Sequence, residues 1–159
     1  NLKMNSLSDY KMIDKLYDAS LAGVKVKLII RGICCLVPGV KKLSENIEAI
    51  SIVDNYLEHS RLFIFCNNDD PEVFISSADF MTRNIDARVE VTCPIYDIEI
   101  KKDLIETFEI GWKANVKARL HSDKFENLYR KRGEEKPFRA QQEMYNHYQN
   151  KLEVITEIL

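Results

Sequence analysis

The sequence predicts an α/β domain, a mixed β-sheet covered by helices. Three observations carry that expectation: an amphipathic helix opens the chain, about five short runs of β character follow, and apolar residues then recur at helical spacing. The 159 residues suit one domain, with a core over about 1–115 and a helical extension over about 116–159. Apolar residues make up 45% and charged ones 30%, which excludes a disordered or collagen-like chain. Lys and Arg total 23 against 25 Asp and Glu, a formal charge of -2. No bulk pull on nucleic acid is expected, so any anion site must be a local cluster of bases. No apolar run reaches the roughly 18 residues of a membrane span. Asn1-Leu-Lys-Met4 holds neither an initiator methionine nor a signal-peptide core, and reads as the start of an excised piece.

The first helix follows Ser6-Leu-Ser-Asp9, which has capping-box character, and carries Ile13, Leu16, Tyr17 and Leu21, with Gly23 as its stop. Val24 to Ile30 alternates and then turns wholly apolar, a strand running into the centre of a sheet. Arg31 to Gly39 is a loop with Pro38-Gly39 as its turn. Ile47 to Val53 is a second strand, and Arg61 to Cys66 with Glu72 to Ser76 form a hairpin. Arg88 to Cys93 alternates strictly, placing Val89, Val91 and Cys93 on one face. Everything after Pro94 has a helical pattern. One stripe is Leu104, Ile105, Phe108, Trp112 and Val116, weakened by Gly111. The last helix has Pro137 in its first turn and Met144, Tyr145, Tyr148, Leu152 and Ile155 as a packing face.

Cys34, Cys35, Cys66 and Cys93 form no C-x-x-C pair, so no metal site is expected. Cys66 and Cys93 end apolar runs and read as small buried hydrophobes. Reduced thiols place the chain in the cytoplasm, with peripheral membrane association kept open.

Three segments offer groups for a phosphorylated ligand. Arg31 follows the apolar Leu28-Ile-Ile30 at the carboxyl end of a strand, where ligands of open α/β sheets bind. Its guanidinium can grip two phosphate oxygens, and Gly32 lets backbone N–H groups approach; a surface salt bridge is the plain alternative. His59 and Arg61 stand two apart before Leu62-Phe-Ile-Phe65 and share a face if extended. An imidazole there can donate or accept a proton, or attack phosphorus, while the guanidinium holds the phosphate; an exposed structural histidine is the alternative. Ser76 and Ser77 end a strand before Asp79, Arg83, Asn84, Arg88 and Glu90, offering hydroxyls and charge to an anion, or an ordinary turn and cap. Four arginines and one histidine fall within 58 residues of a chain without net positive charge, and polyanion binding is the economical explanation. His121, His147, Lys113, Lys117, Arg119 and Arg130-Lys-Arg132 read as solvated surface.

His59-x-Arg61, Ser76-Ser-Ala-Asp79, Arg83-Asn84 and Glu90 resemble one half-site of the phospholipase D superfamily. Arg61 replaces that motif's lysine, Ser76 its glycine and Asp79 its asparagine, and Cys66 stands where it has an acid. A closer resemblance spans nearly the whole chain. Lys3-Met-Asn5, Leu16-Tyr-Asp-Ala-Ser20, Leu28-Ile-Ile-Arg-Gly-Ile-Cys-Cys-Leu36, Leu57-Glu-His-Ser-Arg61 and Arg88-Val-Glu90, in that order, are similar to the C-terminal catalytic domain of bacterial polyphosphate kinases, with looser similarity through Asn115 to Arg119 and Phe138-Arg-Ala-Gln141.

That resemblance implies a phospholipase D-like fold and a homo-oligomer. It also implies reversible transfer of the ATP γ-phosphoryl group to inorganic polyphosphate, with Mg²⁺, through a phosphohistidine. The phosphohistidine and the metal ligands would lie in a preceding domain, and this piece alone would be inactive. Arg31 and His59 match the family's nucleotide-phosphate contacts, with His59 catalytic; Arg61, Ser76, Ser77, Arg83, Asn84 and Arg88 are added from the residues themselves. A phosphodiesterase half-site completed by dimerisation, or a polyphosphate-binding module without chemistry, are the alternatives.

Overall fold

The computed structural model describes residues 1–124 and 126–158, with side chains through 153. Its elements are β1 (Leu2–Met4), α1 (Tyr10–Leu21), β2 (Val26–Ile30), β3 (Ile47–Ile52), β4 (Leu62–Phe65), β5 (Glu72–Ser76), α2 (Thr82–Asp86), β6 (Thr92–Ile95), α3 (Ile98–Trp112), β7 (Ala118–Leu120) and α4 (Ala140–Ile158). Seven strands form one mixed sheet in the order β6-β5-β4-β1-β2-β3-β7. Three adjacent strands, β1, β2 and β3, are parallel, and β4, β5, β6 and β7 join antiparallel. The predicted mixed sheet with helical cover is the fold observed.

Pleating divides the core in two. Leu28, Ile30, Leu2, Met4 and Phe63 face α1 and meet Ile13. Ile29, Ile50, Leu62 and Ile64 face the other way and meet Phe108, Trp112 and Ala140. Successive side chains of an apolar strand thus fill opposite layers, as expected of a sheet covered on both faces. Lys3 falls between Leu2 and Met4, so the alternation sends its buried ammonium to the α3 and α4 face, where it pairs with Glu58.

Several expectations need correction. The first helix is capped by Asp9, which accepts from the Met12 N–H at 3.1 Å, so Ser6 lies outside the helix. Leu21 on its expected face is exposed, whereas Gly23 does stop the helix at φ +87. The strand read over Arg88 to Cys93 begins at Thr92, and Val89 and Val91 stand exposed. Cys66 and Cys93 are exposed rather than buried. The region after Pro94 is not all helical: β7 pairs with β3, Val116 lies beyond α3, and α4 starts three residues after Pro137. Tyr145, Tyr148 and Leu152 of the last stripe line an open groove, and the Ile155 side chain lies outside those described. His147 is only 12% exposed in its side chain, with Nε2 3.2 Å from Asp103. His121 is half-buried, Nε2 3.4 Å from the Ile30 carbonyl oxygen. Among the described residues no helix is long and apolar enough to cross a membrane.

Candidate functional site

Four strand ends meet at one edge of the sheet, and topology brings them there. β1 and β2 run parallel, so Asn5 and Arg31, which follow them, emerge side by side. β4 is antiparallel to β1, so its entrance, His59 to Arg61, lies at the same edge. β5 is antiparallel to β4, so its exit, Ser77 to Asp79, returns there. Gly32 N–H donates to the Asn5 carbonyl at 2.7 Å and ties the first two ends together.

A continuous polar network crosses this edge. Arg31 donates from Nε and Nη2 to Asn5 Oδ1 at 3.2 and 2.8 Å. Asn5 donates from its backbone N–H and from Nδ2 to Asp79 Oδ1 at 2.8 and 3.2 Å. Arg61 grips the same carboxylate in fork fashion, Nε to Oδ1 at 3.0 Å and Nη2 to Oδ2 at 3.2 Å. Arg61 Nη1 in turn lies 3.4 Å from His59 Nδ1. The Asp79 and Arg61 side chains are only 8% and 11% exposed, whereas His59 reaches solvent. Burial alone would raise the Asp79 carboxyl; hydrogen bonds from Arg61 and from the backbone of Asn5 and Ser6 outweigh it and hold the group below its ordinary value.

The remaining candidates fall around this network. Ser77 Oγ and Asn84 Nδ2 both donate to Glu90, and the Ser77 bond, then the Asn84 bond, lower its carboxyl. Asn84 is buried, and among the described residues its Oδ1 has no hydrogen-bond partner. Ser76 Oγ is occupied by Thr92 Oγ1 at 2.9 Å and by the Ala78 N–H at 3.0 Å. Arg83 and Arg88 are exposed, and the Arg88 charge lies near enough to Glu90 to help lower its carboxyl. The structure therefore links Arg31, Arg61 and His59, gathers Ser77 and Asn84 about Glu90 with Arg88 nearby, and leaves Arg83 outside both. His59 also lines a groove of about 510 Å³ with Lys3, Tyr56, Met144, Tyr145 and Tyr148; Arg31 and Ser77 are not among its walls.

Asn5 was not among the candidates. It is the first residue after β1, the place that Arg31 holds after β2, but three residues, one of them a lysine, are too few to announce a strand. Among the described residues no group of three or more His, Cys, Asp or Glu could hold a metal ion.

Comparison with known proteins gives a consistent result. Residues 1–141 match the family model described as polyphosphate kinase C-terminal domain 2. The chain is 50% identical over 149 residues to a polyphosphate kinase of Vibrio vulnificus, covering 94% of this chain and 21% of that protein. It is 46% identical over 146 residues to the polyphosphate kinase of Escherichia coli K12, covering 92% and 21%. The crystal structure of polyphosphate kinase from Porphyromonas gingivalis superposes with a TM-score of 0.93 at 46% identity, over 96% of this chain and 24% of that one. The chain spans about a fifth of the length of the curated relatives it matches.

Proposed function

The chain belongs to the polyphosphate kinase C-terminal domain family, and on that premise we propose that it supplies part of the site that reversibly transfers the ATP γ-phosphoryl group to inorganic polyphosphate. The observation that carries this reading is the network running from Arg31 through Asn5, Asp79 and Arg61 to His59. It presents the Arg31 guanidinium and one solvent-facing imidazole at a sheet edge, with Arg61 held behind them against Asp79, in a chain whose net charge is -2.

Phosphoryl transfer asks a protein mainly to position its reactants and to neutralise charge spread over the transferring oxygens. Arg31, held by Asn5, clamps the β- and γ-phosphates. A histidine of the preceding domain attacks the γ-phosphorus; the bond from that phosphorus to the bridging oxygen breaks, and ADP leaves with the electron pair. His59 donates a hydrogen bond or proton to that oxygen. The phosphoryl group then passes from the histidine nitrogen to a terminal oxygen of polyphosphate, and ATP synthesis is the same path reversed. Arg61 neutralises the chain beside His59, and Ser77, Asn84, Arg83 and Arg88 extend the polar rim. Magnesium is assigned to ligands beyond this chain. The partners are ATP or ADP, polyphosphate, the preceding domains and further copies in a homo-oligomer. Four free cysteines favour a reducing compartment, the cytoplasm.

The test is phosphate transfer from ATP in the full-length protein. His59→Ala and Arg31→Ala should each lower the rate by about 10²-fold or more, the scale of one general acid or one charge-stabilising donor. Near-normal turnover in either variant removes that residue from the site.

A further inference from the structure

The segment that delivers His59 to the sheet edge has no secondary structure of its own. Between the end of β3 at Ile52 and the start of β4 at Leu62 the chain makes no ladder, and Asn55, Tyr56 and Leu57 are exposed. Such a segment is mobile unless something else holds it. Two residues from the far end of the chain hold it. Arg139 Nε and Nη2 grip Asp54 at 2.8 and 2.6 Å, and Nη2 reaches Asn55 Oδ1 at 2.9 Å. The Asp54 side chain is 1% exposed beneath this fork. Gln141 behaves like a neighbouring strand: Oε1 accepts the Tyr56 N–H at 3.0 Å, and Nε2 donates to the Tyr56 carbonyl at 2.8 Å. The same Nε2 donates to Glu58 Oε1 at 2.9 Å, while Lys3 takes the other Glu58 oxygen from β1.

The turn that carries these two side chains is itself fixed. Ala140 is buried against Phe108 and Trp112. Asn115 exchanges two hydrogen bonds with the backbone of Phe138, at 3.0 and 2.7 Å. Residues 138–141 are thus a rigid jaw, closed on 54–58 immediately before His59.

We propose that Arg139 and Gln141 are positioning residues for His59, acting through the 54–58 segment without touching substrate. This rests on the phosphate-contacting role of His59 proposed above. Opening the jaw leaves the imidazole in its productive pose only part of the time. Apparent affinity for the phosphate ligand then falls by that fraction, while the chemistry of the bound complex is kept.

The experiment is steady-state kinetics of the full-length protein with ATP varied, together with hydrogen exchange over residues 54–60. Gln141→Ala is expected to raise the KM for ATP about tenfold, with kcat within about twofold, and to speed exchange in that segment. Arg139→Lys keeps the charge but loses the fork and should move KM the same way. Gln142→Ala, whose side chain donates to Asn146 one turn along α4 and, among the described residues, to no residue of 54–58, should change neither quantity. Unchanged KM in both Gln141→Ala and Arg139→Lys overturns the jaw while leaving the His59 role intact, provided that His59→Ala is impaired. A fall in kcat with KM unchanged also overturns it. Near-normal His59→Ala overturns both readings.

Discussion

Asn5 Oδ1 receives both Nε and Nη2 of Arg31, at 3.2 and 2.8 Å. One amide oxygen thereby fixes the plane of the guanidinium, and the same asparagine is anchored by donating twice to Asp79. Arg31 is therefore not a loose surface cation: its orientation is inherited from a buried amide and carboxylate.

Asn5→Ala removes the acceptor without removing a charge. The Arg31 side chain then swings free, and small misplacements at a reacting centre cost up to about 10²-fold. The expected outcome is a loss of transfer from ATP of about tenfold or more in the full-length protein. Asn5→Asp restores an acceptor for Arg31 but sets a second carboxylate against Asp79, so it should recover less stability than activity. Calorimetry beside the transfer assay separates the two effects, and full activity in Asn5→Ala refutes the anchoring role.

Acid should weaken this network and the Arg139–Asp54 contact. The Asp79 and Asp54 carboxyls both lie below their ordinary value; burial opposes the shift at Asp79 and is outweighed by Arg61, whereas the hydrogen bond from Arg139 leads at Asp54. A carboxyl depressed in the folded state binds fewer protons there than in the unfolded chain just above its folded pKa. Its stabilisation is therefore complete above about pH 4, the ordinary carboxylate value, and is lost as pH falls through the lower folded value. Urea unfolding between pH 7 and pH 3 should show stability declining below about pH 4. Asp79→Asn, less stable at neutrality because its bond to Arg61 loses its charge, should show a shallower decline. An identical slope in wild type and variant excludes Asp79 as a source of the acid sensitivity.

Particular residues show how far sequence reading reached. Leu28-Ile-Ile30 announced a buried strand, and the rule placing ligands beyond such strands found Arg31 beside the end of β1. The His59 and Arg61 pairing was legible as two residues on one extended face, and Arg61 Nη1 does lie 3.4 Å from His59 Nδ1. The alternation of Arg88 to Cys93 misled because residues 88–91 precede β6, an edge strand that begins only at Thr92, and a period-2 pattern does not by itself make a ladder. Pro94 sits inside β6 opposite Phe74, a place a proline can hold at an edge. β1 and β7, three residues each, are too short to carry a pattern and exist because longer strands beside them supply partners. The Arg139 and Gln141 jaw was illegible for another reason: it joins residues 85 apart through side chains, which no local period records.

Gly32 offers the sharpest separation of fold from site. A Cβ there would lie 2.9 Å from the Asn5 carbonyl oxygen and 3.2 Å from Ser6 Oγ. The first of these is backbone, and it already accepts the Gly32 N–H at 2.7 Å, so it cannot retreat without parting the ends of β1 and β2. Gly32→Ala should therefore cost about 1–3 kcal/mol of stability, the range of an overpacked site, and should displace Asn5 together with the guanidinium it holds. Gly23→Ala makes the natural comparison: its Cβ would meet open space, but its φ of +87 disfavours any L side chain, at about 1–2 kcal/mol. Both variants should melt early in a thermal scan of the full-length protein. Only Gly32→Ala should also lose transfer activity when assayed well below its midpoint, because only there does the added methyl group press on the residue that aims Arg31. Equal activity in the two variants refutes the link between the Gly32 backbone contact and the phosphate clamp.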